Sequence, residues 1–454
     1  MSNLSGKYAV VTGGSRGIGG VVYQSNEDGW REAWRQPEET LNRGLYGLWA
    51  NSDTEVFAVG AGGRVLRYDG VSWSPVDGGG PAAYRGAWGM DGQLFAAGQA
   101  GVVRRYDGSR WEDLSGDGID QHLNAVWGIP APGDSGGIRL LAVGDEGTVL
   151  VHADGAWRAA ESGTTADLED LFGFSESAVF AVGDGGTVLH FDGERWQPME
   201  TPVDDRLRGV WGTDPTDLFA VGDSNTILHY DGWQWWTMED DPGASDHFRC
   251  VWGRSGTDVY AAGQDGSIQH YDGIQWRRME SGTTAVVQQI QGTPGGVVFA
   301  VDSDGAVHRA DALSLRLPGE AGEGAGSVAG IVAIPSPRSS DLAVSLQSDR
   351  ATELGVPQAV TLPAGQTSVA VSLTLRDNGM ADGTRWPKVS AAAAGLLPAA
   401  VRMAVVDNET AALSVDLPGE AFEGADLSGQ GRVRMSIAAV RDVTVSMASD
   451  NPAA

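Results

Sequence analysis

The chain has 454 residues, about three domains at the usual ~150 residues each, so a single average-sized domain is excluded. Lys plus Arg number 31 against 60 Asp plus Glu, and the net charge of −29 repels phosphate backbones and anionic lipid, which argues against nucleic acid as a partner. The only cysteine, Cys250, excludes an internal disulfide and any CxxC motif, while 66 glycines and 16 tryptophans point to many short strands and tight turns.

The first twenty residues hold an apolar run, Tyr8 to Val11, followed by Thr12-Gly13-Gly14-Ser15-Arg16-Gly17-Ile18-Gly19. This resembles the first strand and glycine turn of short-chain dehydrogenases, in which backbone amides approach a dinucleotide pyrophosphate. The resemblance implies a nicotinamide cofactor, but the amphipathic helix and second strand that should follow are absent. The family's Tyr-xxx-Lys pair cannot exist either: the only lysines are Lys7 and Lys388, and the residues four before them are Asn3 and Thr384. Residues 1–20 are therefore expected to be an orphan, disordered fragment with no oxidoreductase activity, and they show no secretory-signal pattern.

From residue 41 a repeat with a period near forty takes over. The glycine ending each "FAVG" element falls at Gly60, Gly98, Gly144, Gly183, Gly222 and Gly263, with Asp302 in the seventh place. Each unit has three short apolar runs split by Gly and Asp and then a Trp, which predicts four-stranded antiparallel units and the blade length of a β-propeller. The seventh copy lacks its terminal Trp, whereas Asp28-Gly29-Trp30 precedes the first complete copy. Residues 21–35 can thus supply the outer strand of a composite seventh blade; an eighth, partial blade is the alternative. A ring of Trp49, Trp88, Trp127, Phe172, Trp211, Trp252 and Gln291 is expected to pack blade against blade. A second ring, Arg67, Arg105, His152, His190, His229, His270 and His308, is expected to donate hydrogen bonds to backbone rather than to bind metal. The Asp after the ruler glycine, as in Asp184 and Asp223, is expected to cap its hairpin. Over 21–311 the repeat resembles the tryptophan-rich propeller repeat of bacterial secreted and surface proteins.

After Asp311 tryptophan nearly vanishes and Ala, Val, Ser and Leu alternate. Ala312-LSLRLPGEAGEGA returns as Ala412-LSVDLPGEAFEGA, so a module of about one hundred residues spans 312–411 and a truncated second copy spans 412–454. Period-two strands such as 369–375 predict an antiparallel, immunoglobulin-like β-sandwich. The starting "EG", the central "DNGMADG" and the terminal "VVDNE" make the module resemble the Calx-beta family. That resemblance implies a Ca²⁺ site at one end of the sandwich formed by Glu323, Asp377, Asp382, Asp407 and Glu409, with solvated turn acids as the alternative. Asn378 and Asn408 stand where tightly binding members carry acids, which implies weak affinity.

No segment approaches the ~18 apolar residues of a membrane span; Ala391 to Val401 is short and carries Pro398. The whole reads as all-β: a seven-bladed β-propeller, a sandwich and a partial second sandwich. By resemblance it is a non-enzymatic extracellular or surface adhesion protein with a protein or glycan ligand on the propeller face. The alternative is a carbohydrate-active propeller enzyme, for which a catalytic acid pair should break the repeat on one face, and none stands out from the sequence.

Overall fold

The computed structural model describes residues 30–35, 44–77, 79–116, 118–130, 138–153, 155–239, 247–380, 383–408, 413–416 and 432–435. The dehydrogenase-like segment, Asp382, Glu409 and most of the second module lie outside the described residues. The chain divides into two compact units, one holding residues up to Leu313 together with 393–399, the other holding the rest.

Apolar runs of four to eight residues, punctuated by Gly and Asp, give strands and nothing longer than single 3-10 turns among the described residues. In the first unit they form seven four-stranded antiparallel sheets. Six are consecutive meanders, over 45–75, 84–113, 123–159, 168–199, 207–237 and 248–279. The seventh takes three strands from 287–311, and its fourth is Arg31–Arg35, which pairs with Ala306–Asp311 in the register Arg31↔Arg309 and Arg35↔Ala306. The first strand of each sheet lies beside the first strand of the next, and Val287–Gly292 lies beside Leu45–Ser52, so the sheets close a ring.

The recurring Trp-Gly dipeptide explains how neighbouring sheets pack. A Cβ added to Gly89, Gly128, Gly173 or Gly253 would stand 2.7 Å from the ring tryptophan of the preceding sheet, respectively Trp49, Trp88, Trp127 and Trp211. Gly292 sits under Trp252 in the same way. Only glycine lets the indole lie flat on the next backbone, so the Trp at one position and the Gly of the following sheet form a single packing unit. At the ring junction the pair changes: Gln291 replaces Trp, Ala50 replaces Gly, and the Ala50 amide donates to Gln291 Oε1 at 3.1 Å.

The outer strands are held by a second recurring device. Asp69, Asp107, Asp192, Asp231 and Asp272 each accept two backbone N–H groups, from the residues two and three ahead, at 2.8–3.0 Å. These Asx turns close the hairpins, and the amide donors hold Asp69, Asp107, Asp192 and Asp231 below the usual carboxylate range. Hairpin capping thus belongs to the Asp of the "YDG" element. The side chains of Asp184 and Asp223, to which the sequence reading gave that role, instead bind Arg206 and Arg208.

Carboxylates also answer the second ring. His229, His270 and His308 bond Asp217, Asp258 and Asp302 of their own sheets at 2.6, 2.9 and 2.8 Å, and Arg67 and Arg105 pair with Glu55 and Glu112. His190 instead stacks on Phe180, and His152 packs against Trp157 with the rings tilted by 54°. The partner is therefore a side chain, not the backbone expected from sequence, because the neighbouring strand carries an acid within reach in five of the seven sheets.

The buried member of this ring has a measurable consequence. Asp258 is 3% exposed and bonds both His270 and Arg254, whose guanidinium also donates to the carbonyls of Leu313 and Pro398 at 2.6 and 2.5 Å. Burial raises the Asp258 pKa, but the Arg254 charge and the His270 bond outweigh it and hold the carboxyl below its ordinary value. A depressed carboxyl stabilises the fold fully above its unfolded pKa, about 3.9, and that contribution is lost as pH falls through the lower folded value. Asp258→Asn is expected to cost about 3–5 kcal/mol at neutral pH by leaving Arg254 buried without its acid. Urea unfolding at pH 7 and pH 3 should show a smaller difference between the two pH values in the variant than in the parent.

The apolar stretch around Pro398 also finds its place. Leu397 is fully buried in a cluster with Trp30, Tyr260 and Ala312, and its N–H donates to Asp311 O at 3.0 Å.

In the second unit, strand order in one sheet is Ser314–Arg316, Gly326–Ala333, Ser368–Leu375, Leu354–Gly355, and in the other Ala359–Leu362, Leu342–Ser348, Lys388–Ala392, Ala399–Arg402. Alternate residues of Leu342–Ser348 and Ser368–Leu375 are buried, so each of these strands buries one face. Glu320–Gly322 pairs in parallel with Ala404–Val406.

Candidate functional sites

A cavity of about 680 Å³ is lined by the first strands of all seven sheets, which places it on the axis of the ring. The ring aromatics line it, but Trp49, Trp127 and Trp211 are only 6–9% exposed because their faces rest on the next sheet's glycine. The distinctive residues stand three positions earlier: Tyr46, Arg85, Asn124, Glu169, Arg208, Arg249 and Gln288. Strand pairing puts them at equivalent places, so an otherwise repetitive ring carries five different residue types at its seven positions on one level. The next position along is held small by close backbone approach, with Gly47, Gly86 and Gly209 against the following strand. Asp170 and Gln289 are its exceptions.

The charges here are unevenly paired. Arg208 binds Asp223 through Nε and Nη2 at 2.7 and 2.8 Å and stands 3.9 Å from Glu169, which Arg206 approaches to 3.2 Å. Arg85 donates to Asn124 Oδ1 at 2.7 Å. Among the described residues neither Arg85 nor Arg249 has a carboxylate within ion-pair distance, and the buried Nε of Arg249 has no hydrogen-bond partner. Burial, and then the Arg208 charge, lower the Arg249 pKa. Desolvation raises the Glu169 pKa despite Arg208 and Arg206, and burial pushes Asp170 up to about 7 although it accepts the amides of Leu171 and Val210. Cys250, fully buried, has its thiol pushed up by desolvation and is unreactive.

Sequence reading missed this ring. No acid pair stands out in the sequence read as a repeat, yet counting back three residues from each ring aromatic exposes both the arginines and Glu169, with Asp170 beside it.

The expected calcium ligands lie in the second unit. Parallel pairing of Gly322 with Val406 sets Glu323 beside Asp407, and the Glu323 amide donates to Val406 O at 2.9 Å. The strand pairing Gly326↔Leu375 brings Asp377 alongside: a Cβ on Gly324 would lie 3.2 Å from Asp377 Oδ2. The three loops therefore converge at one end of the unit. Glu323 is 4% exposed; its Oε1 accepts Asn378 Nδ2 at 3.2 Å and its backbone carbonyl accepts Asn408 Nδ2 at 3.1 Å. Asp377 and Asp407 accept the amides of Gly379 and Gly383 at 2.8 and 2.6 Å. Among the described residues no three acids or histidines are grouped closely enough to hold a metal ion. Asp382 and Glu409 lie outside the described residues.

No protein-family model and no curated protein matches the chain. Among solved structures it is similar to YCF48 bound to D1 peptide, with a TM-score of 0.51, 15% identity, and coverage of 62% of this chain and 94% of that one. The WD40 β-propeller domain of Doa1 matches with a TM-score of 0.51, 13% identity and coverage of 62% and 96%. YCF48 from Cyanidioschyzon merolae gives a TM-score of 0.51, 16% identity and coverage of 62% and 98%. At such identities the likeness concerns the fold: the chain contains a β-propeller. No helix among the described residues is long and apolar enough to cross a membrane.

Proposed function

We propose that the chain is a non-enzymatic interaction protein of the cell surface or extracellular space, whose recognition domain is a seven-bladed propeller completed by residues 31–35 and whose ligand-binding place is the axial cavity. The observation that carries this reading is the ring at Tyr46, Arg85, Asn124, Glu169, Arg208, Arg249 and Gln288, where an otherwise repetitive framework varies its side chains around one opening. A fold maintained by repetition has no packing reason to vary there, and a ligand gives one. YCF48, one of the similar structures, is described with a bound peptide, which supports a protein or peptide as the ligand class. The surface location follows only from the tryptophan-rich repeat resemblance.

A second reading, a carbohydrate-active hydrolase, is favoured by one observation: Glu169 and Asp170 line the cavity with raised pKa values, Asp170 at about 7. Both Asp170 oxygens are engaged by backbone amides, which suits a carboxylate holding Val210 of the next sheet better than a proton donor. Incubation with a polysaccharide panel decides between them. No release of reducing ends is expected, and release that disappears in Asp170→Asn would replace the interaction reading with the enzymatic one.

The second unit is proposed to be a Calx-beta-like, immunoglobulin-like sandwich that stiffens a stalk when Ca²⁺ binds Glu323, Asp377, Asp382, Asp407 and Glu409. Oxygen donors from three converging loops suit a hard cation, and the two asparagines at Glu323 set the affinity in the weak range of about 10⁻⁴–10⁻³ M. Millimolar Ca²⁺ is expected to raise the melting temperature of the second unit's transition, as mass action requires. Asp377→Ala should abolish the rise while leaving the calcium-free value in place; an unchanged transition in the parent would identify these acids as solvated turns.

A further inference from the structure

We infer that the axial cavity binds a carboxylate of an extended peptide, through Arg249 and Arg85. The inference rests on reading the propeller as a recognition domain and adds the chemistry of its ligand. In a chain of net charge −29, arginine occupies three of seven equivalent positions around one opening, and two of the three have no acid partner among the described residues. Arg208 is fixed by its two bonds to Asp223, which turns its fork into a rigid wall rather than a free ligand. Arg249 has a buried Nε without an acceptor, next to the like charge of Arg208. An incoming carboxylate supplies the counter-charge that Arg249 and Arg85 lack among the described residues, in the planar geometry that guanidinium matches.

The rest of the lining favours peptide over sugar. Glycan sites offer open aromatic faces, whereas the cavity's tryptophans have theirs against glycine backbone. Gln99, Gln288 and Gln289 line the same space and supply the mixed amide donors and acceptors that a peptide backbone needs. A polyanion such as nucleic acid is opposed by the overall charge.

The test uses the full chain and an immobilised hexapeptide library with free C-terminal carboxylates, its amidated twin, and oligogalacturonate as the sugar-borne carboxylate. Acid-bearing or free-terminus peptides are expected to bind, and to weaken at least tenfold in Arg249→Gln and in Arg85→Gln. Arg110→Gln, at an exposed hairpin tip, should bind as the parent does. Arg249→Gln should also keep or raise the melting temperature, since a desolvated guanidinium with no acid partner destabilises the fold; a lowered melting temperature would make it a structural residue and overturn the assignment. Peptide binding that ignores charge and survives both substitutions would overturn the carboxylate site while leaving the recognition reading intact. Binding of oligogalacturonate alone, or of no probe, would overturn the peptide assignment.

Discussion

Trp30→Ala is expected to lower the stability of the first unit by about 3–5 kcal/mol, a fall in its melting temperature of about 10 °C. Trp30 is completely buried and packs with Tyr260, Ile268, Val298 and Leu397, just before the strand that completes the seventh sheet. Truncating an indole there leaves a cavity among residues of the sixth and seventh sheets, which cannot collapse onto it without moving the ring. Trp233, 92% exposed on a hairpin tip, is the matched control: Trp233→Ala should stay within about 0.5 kcal/mol of the parent. Thermal scans of the two variants should separate clearly, and equal values would mean that Trp30 is not part of the core.

The second large effect lies at the ring junction. If the tryptophan-on-glycine pair is one packing unit, placing a Trp at Gln291 against Ala50 should overpack the seam and cost about 1–3 kcal/mol, besides losing the bond to the Ala50 amide. Changing Ala50→Gly as well rebuilds the pair found at five of the other six junctions. The double variant should therefore recover much of the loss, with a coupling of about 1 kcal/mol or more in a double-mutant cycle. Additive effects would show that the indole and the facing glycine are independent. The reverse experiment, Gly253→Ala under Trp211, should destabilise and should be relieved by shortening Trp211 to Phe.

How far the sequence alone carries can be judged from these same residues. The four-stranded unit was readable because Gly and Asp punctuate the hairpins and a glycine follows Trp88, Trp127, Phe172, Trp211 and Trp252. The roles of polar residues were less readable. Asp184 and Asp223 look like turn residues, yet Arg206 lies just before the following sheet and Arg208 on the first strand of Asp223's own sheet, and no local rule foretells such pairing. His229, His270 and His308 meet acids instead of backbone for the same reason: Asp217, Asp258 and Asp302 reach them through strand register. The ring from Tyr46 to Gln288 is hard to see in the sequence because a repeat is usually read for what stays constant, and these positions are what varies. In the second unit, Glu323, Asp377 and Asp407 were drawn from a resemblance; the parallel pairing of 320–322 with 404–406 that brings two of their loops together is not encoded in any short pattern.

The readings of the first unit require one closed ring around one axial cavity, and closure depends on Arg31–Arg35 pairing with Ala306–Asp311. Arg31 and Arg309 are direct partners in that register, so their Cα atoms fall within the span of a disulfide. Arg31→Cys with Arg309→Cys, oxidised as a dilute monomer with Cys250 buried and inert, should give a covalently closed loop. After denaturation without reductant the product should migrate faster than the parent on a gel and return to the parent position when reduced. Free thiols that persist under oxidation, with no fast-migrating species, would contradict the closed ring.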